Sequence, residues 1–266
     1  MRKEGYSGPC DVTVMTKTYT ETSRTFLKNP IAEVFVQSTH LEAILDKVNQ
    51  KTPLQTSTLQ SIVSHNKPYG LRTDFLNNPQ KYALPPVSFD ESMDDSIAIH
   101  GLIKGKRGVA YVGSDYPFDT CKDSTESSKL EFQLSLGLWK VFIANANGNG
   151  KLGESFSTPI VAGPNVICTE TFNRIGPFNT QEEAQNLQKY IKTKFLRMLV
   201  GILKTTQHNP SRVWRCVPIQ DFTTESDIHW HQSVPEIDHQ LYRKYGLSQE
   251  EVEFIEAIAQ SMTKSS

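Results

Sequence analysis

No apolar run among these 266 residues approaches the roughly 20 that a membrane-crossing helix needs. The N-terminal MRKEGYSGPC has no apolar core of the kind a secretory signal carries. Cysteine is scarce. Cys10, Cys121, Cys168 and Cys216 stand far apart and form no CxxC pair, which argues against a zinc site and fits reduced thiols in a cytoplasm. An excess of either charge is also missing: the net charge is -1, so the chain as a whole is no polycation.

Catalytic signatures are missing as well. In GLIKGKRGVAYV, residues 101–112, the glycines are one residue closer than a Walker loop requires, and Arg107 stands where Ser or Thr would hold magnesium. No GxGxxG opens a helix after a strand. No GxSxG, HExxH or nuclease-type proline-aspartate with a spaced acidic-x-lysine group occurs. His229 and His231 flank Trp230, but two histidines one residue apart with no third ligand in view say little about coordination. The adjacent acids Asp94–Asp95 and Glu250–Glu251 read as solvated or capping.

What is present describes an α+β protein of one large domain or two small ones, 37% hydrophobic and 9% aromatic. Period-two runs predict strands at DVTVMT, AEVFVQ, SIAIHGLI (96–103), GVAYV (108–112) and LWKVFIANA (138–146), with GPNVICTETF (163–172) as a further candidate. LEAILDKV (41–48) predicts a short helix. The clearest helix runs from a Thr180 or Asn179 cap through residue 204, with Ala184, Leu187, Ile191, Phe195, Met198, Leu199 and Ile202 on one face and its basic residues mostly on the other. Gly201 within it costs about 1 kcal/mol relative to Ala, which predicts close packing there. Tyr190, Phe195 and Trp214 are assigned to packing. Ser248 and Glu251 predict a capping box for a last helix that turns Val252, Ile255 and Ile258 to a core. DYPFDTCKDSTESSKLE (115–131) reads as a surface loop, and ANGNGKLGE (146–154) as a polar crossing at an exposed edge.

Charge is unevenly placed. Thr180–Val217 carries Lys189, Lys192, Lys194, Arg197, Lys204, Arg212 and Arg215 against Glu182 and Glu183, and the segment beyond it is acidic. This hints at an anionic partner for one face, or at a solvated helix beside an acidic tail. Four loops combine flexible backbone with basic and amide side chains: HNKPYGLR, KGKR, NANGNGK and TTQHNPSRVWR. Each alone reads as an ordinary turn. Together they suit phosphate neutralisation by Lys and Arg and base reading by Asn, Gln and Arg.

From about Val141 onward, VFIANANGNGKLGE, then CTETFNRIGPFNTQEEAQNLQKYIKTKFLRMLVGILKTTQHNPSRVWRCVPIQDF, then LYRKYGLSQEEVEFIEAI, resembles the C-terminal part of bacterial Type II restriction–modification adenine methyltransferases. SHNKPYGLRTDF and IHGLIKGKRGVAYV are similar to earlier segments of the same region, and YSGPCDVTVMT to the last strand region of such a methylase. The resemblance therefore covers most of the chain. It implies a target recognition domain of mixed or antiparallel strands with long polar loops, braced by an amphipathic helix and a helical C-terminal part. The implied division is 1–60 as the end of a methylase domain, 61–220 as the recognition domain and 221–266 as an acidic helical tail.

The implied partners are double-stranded DNA and a methyltransferase catalytic domain, with no membrane. The implied DNA contacts are Lys67, Arg72, Lys104, Lys106, Arg107, Asn147, Lys151, Gln207, His208 and Arg212. The family's S-adenosylmethionine motif and its Asn-Pro-Pro-Tyr/Phe motif do not occur in this chain, where Asn-Pro is found only in NPI, NPQ and NPS. No cofactor is therefore expected in this chain, and S-adenosylmethionine is expected in the catalytic part. A base must leave the stack before its amine can be methylated, and site selection needs a second surface that grips several base pairs. An unrecognised nuclease centre and a protein-docking module remain as alternative readings.

Overall fold

The computed structural model describes residues 8–15, 20–25, 28–36, 38–90, 95–118, 126–148 and 150–259. Cys121, Asp94 and Asn149 lie outside the described residues. Within the described residues, α-helices and β-strands are arranged as an α+β fold. Strands β1 (Cys10–Met15) and β2 (Thr20–Thr25) form an antiparallel hairpin. Helices α1 (Thr39–Lys51) and α2 (Thr73–Asn77) follow. Strands β3 (Ser96–Ile103) and β4 (Lys106–Gly113) pair antiparallel, and β7 (Val166–Cys168) adds to β3 in parallel. A second sheet has β5 (Trp139–Ala144) at its centre, between β6 (Ile160–Ala162) and β8 (Phe172–Phe178), all antiparallel.

The middle strand β5 is the wall between two cores. Successive side chains on a strand point to opposite faces. Val141 and Ile143 accordingly join the larger core with α1 and the C-terminal helices, while Phe142 joins the smaller core under β3, β4 and α2. All three are fully buried, and each contributes roughly 1.5–3 kcal/mol by leaving water. Both cores draw on segments that are remote in sequence. The larger one draws on Ala32 to Val48 and on Phe222 to Ala259 alike. It is tied by Lys47 to Glu251 at 2.7 Å and by the stacked rings of His40 and Phe254.

The predicted long helix is two helices, α4 (Gln181–Lys192) and α5 (Lys194–Leu203). Thr193 separates them in an extended conformation, donating its hydroxyl proton to Tyr190 O and accepting from Leu196 N. The break is held from outside. Asp238, on α6 (Val234–Lys244), accepts from the amides of Lys194 and Phe195, which have no partner inside α5. Burial pushes the Asp238 carboxyl up to about 6, against the downward pull of those two amides. The last helix is α7 (Gln249–Ile258).

The capping boxes at Thr180–Glu183 and Ser248–Glu251 form as predicted, and Gly201 does lie close to its neighbours: a Cβ there would fall 2.7 Å from Leu152 Cδ1. Tyr190, Phe195 and Trp214 are fully buried. Beyond the divided helix, four further expectations about these elements fail for physical reasons. AEVFVQ is no strand among its described residues: Asn29 Oδ1 accepts from Ile31 N and Ala32 N in a side-chain turn, and Glu33 takes φ 57°. Part of 115–131 is the start of helix α3 (Glu126–Ser135) rather than loop. Ile258 is exposed, because the α7 face turned inward is that of Ile255 and Glu251.

The fourth failure concerns the basic face of 180–204. Arg197 is buried and donates to Thr193 O and Gly153 O; Lys204 is buried against Glu154. Lys189 donates to Trp230 O, and Lys194 pairs with Glu256. Much of that charge is thus consumed inside the molecule, partly by the acidic segment that follows it in sequence.

Candidate nucleic-acid interface

The strands converge so that β3, β5 and β7 all end, and β8 begins, on one rim. Hydrogen bonds stitch the intervening loops together there. Asn145 N donates to Thr171 O at 2.9 Å, and Asn209 N to Asn145 O at 2.8 Å. Asn147 N donates to Gln207 O at 2.7 Å, while Glu170 N donates to Leu71 O at 3.1 Å. Thr73 N donates to Glu170 Oε2 at 2.8 Å. Each bond joins segments that are remote in sequence, and together they bring HNKPYGLR, NANGNGK and TTQHNPSRVWR to the edge where the KGKR turn, at the end of β3, also lies.

KGKR is a two-residue hairpin turn. Ile103 pairs with Lys106, leaving Lys104 at φ 47° and Gly105 at φ 79°, the double positive φ of a type I′ turn. Lysine is an unusual choice for the first of these positions. Asn77 compensates: its amide nitrogen donates to Leu102 O at 3.0 Å and its oxygen accepts from Lys104 N at 3.0 Å. Lys104, Lys106 and Arg107 project into solvent from this clamped turn. Arg107 lies over the Phe172 ring, 5.8 Å from its centroid, which links the turn to the start of β8.

The other candidates divide by role. Arg72, Lys151, Gln207, His208 and Arg212 are exposed, and Lys67 is half-buried at φ 59°. Arg212 lies in a short 3-10 turn, Ser211–Trp214, that leads away from the rim. Asn147 is spent on structure: its amide nitrogen donates to Ser155 O at 2.6 Å and its oxygen accepts from Ser157 N at 2.8 Å. Its carbonyl accepts from Lys204 at 2.8 Å, so the buried Lys204–Glu154 pair holds this loop in place.

Gly150 makes the closest approach: with φ 84°, it sits where a Cβ would lie 2.5 Å from the backbone of Thr205. The loop 146–154 therefore docks on its neighbour instead of crossing an open edge. Three rim residues were not singled out from the sequence. Asn66 and Asn145 face one another at 3.5 Å, and Glu170 fastens α2. The first two lie within loops whose amide content was visible; Glu170 carried no signal.

Among the described residues, no group of three or more His, Cys, Asp or Glu side chains is placed to hold a metal ion, and the His229 and His231 rings lie 5.8 Å apart in the open. No described helix is long and apolar enough to cross a membrane. Cys10, Cys168 and Cys216 are free thiols.

Comparison with known proteins gives a partial likeness to a solved structure. No family model matches the chain, and no curated protein matches it. Among solved structures, the type IIG restriction endonuclease BpuSI is similar over 90% of this chain and 35% of its own length, with 11% identity and a TM-score of 0.43. The chain thus spans about a third of that enzyme. A likeness of this degree carries no conclusion about what the chain does.

Proposed function

We propose that the chain recognises double-stranded DNA in a sequence-specific way, as the specificity part of a restriction–modification adenine methyltransferase whose catalytic part binds S-adenosylmethionine. The observation that carries the reading is the gathering of four loops, with Lys104, Lys106, Arg107, Arg72 and Lys151 among their side chains, onto one rim. Cations there neutralise phosphates and set register. Gln207, His208 and Asn66, exposed between them, are the side chains suited to base edges. The rim is built on strand ends, and its turn and loops are fastened by Asn77, Glu170 and the Lys204–Glu154 pair. Such rigidity suits reading a fixed pattern.

The test is selection of bound duplexes from a random pool at roughly 150 mM salt, where purely electrostatic binding is suppressed. An enriched motif of several base pairs is expected. Lys104→Ala combined with Lys106→Ala lowers the slope of log affinity against log salt by about 0.9 for each phosphate that the two amines neutralise. Arg243→Ala on α6 leaves it unchanged. Absence of enrichment, with binding that vanishes as salt rises, favours a docking module; magnesium-dependent cleavage by the purified chain favours a nuclease.

A further inference from the structure

At the other end of β3, roughly 20 Å from the KGKR turn by strand rise, lies a cavity of about 430 Å³ that the DNA reading does not use. It is lined by four aromatic rings, those of Tyr69, Tyr116, Phe118 and Phe132. The rings are contiguous but mutually inclined. Tyr116 and Phe118 are 5.1 Å apart at 54°, Phe118 and Phe132 4.8 Å apart at 43°, and Tyr69 and Phe132 6.3 Å apart at 87°. A planar heterocycle is best held in a slot between parallel faces; rings tilted around a common space make a cup of π density, which suits a rounded cation.

Asp115 adds a formal negative charge to the lining. Its carboxylate folds back over Gly113, with Oδ1 only 2.6 Å from where a Cβ would stand, so glycine at 113 is what leaves room for this placement. Among the described residues of the lining the one cation is Lys129, which is answered by Glu126 at 3.4 Å. The hydroxyl of Tyr69 accepts from Ser135 at 3.1 Å, which ties that ring to the end of α3.

We propose that this cavity is a binding site for a small organic cation of the methylated-ammonium type, held by the aromatic cup and countered by Asp115. Cation–π attraction and an acidic group at the same space are the recognition chemistry of quaternary ammonium ligands. The site is separate from the rim and does not depend on the DNA reading.

The test is calorimetric titration of the whole chain with choline and with its uncharged isostere, in which carbon replaces the quaternary nitrogen. Choline is expected to bind, the isostere at least about fivefold more weakly. Asp115→Asn and Phe132→Leu are each expected to weaken choline binding, while thermal melts confirm that the variants fold. Equal binding of the two ligands overturns the proposal, because an apolar cavity has no preference for charge. No choline binding overturns it, and so does preferential binding of adenosine, which would mark a slot for planar bases.

Discussion

Lys140 has no exposed surface, yet its side chain ends in an amine. Nζ donates to Ser135 O at 2.7 Å and Leu138 O at 2.9 Å, with Leu136 O farther away at 3.4 Å. Two short bonds require only the two hydrogens of the neutral form. Burial pushes the amine from 10.5 down to about 7, with Arg174 adding to the shift and Cys168 opposing it. In the unfolded chain this lysine is protonated up to about pH 10.5; in the folded chain only below about 7. Between those values the unfolded state binds the extra proton, so stability rises with pH, by up to about 1.4 kcal/mol per pH unit.

Across the whole window the ceiling is about 5 kcal/mol, from the gap of about 3.5 between 10.5 and 7. Lys140→Met keeps the bulk and removes the proton. It also leaves Leu138 O without its lysine partner, an offset of about 1–3 kcal/mol that does not vary with pH. Ser135 O and Leu136 O retain the amides of Leu138 and Asn165. Urea unfolding of both proteins from about pH 7 to 10 is expected to show the wild type gaining on the variant as pH rises. Groups common to both, such as the Cys216 thiol that burial raises to about 12, cancel in the difference. Parallel curves for the two proteins would refute the assignment of a depressed, buried amine.

Other outcomes follow from single side chains. Gly150→Ala places a Cβ against the backbone of Thr205 and Thr206 at a φ of 84°, and is expected to cost about 2–4 kcal/mol in a thermal melt and to weaken DNA binding. Thr180→Ala removes the hydroxyl that accepts from Glu183 N at 3.2 Å, and costs about 1 kcal/mol in urea unfolding. Asp238→Ala leaves the Lys194 and Phe195 amides without their acceptor and is expected to cost about 2 kcal/mol or more, with Asp238→Asn recovering part of it.

Elements whose signals are local were legible in the chain itself. SIAIHGLI is β3 residue for residue, and LEAILDKV lies within α1, because alternation and helical spacing decide which face can be buried. The boxes at Thr180 and Ser248 form because donor and acceptor are three residues apart. Gly201 could be read as a point of close approach from its cost to the helix alone. The loops were legible as a set, but not each side chain's duty: Asn147, read as a DNA contact, has both amide atoms bonded to the backbone of Ser155 and Ser157.

The tertiary structure decided the rest, through partners that sequence spacing does not reveal. Helical periodicity runs without interruption through 180–204, and the break at Thr193 is stabilised by a carboxylate 45 positions later at Asp238. Arg197 and Lys204 count as surface charge in a composition sum, but Gly153 and Glu154 draw them inward. The sequence by itself determined strands such as β3 and β5 and the caps at Thr180 and Ser248, since these depend on neighbours within a few residues. Only folding decided that four polar loops share one rim and four aromatic rings one cavity, because each of those groupings joins residues brought together by sheet pairing and core packing.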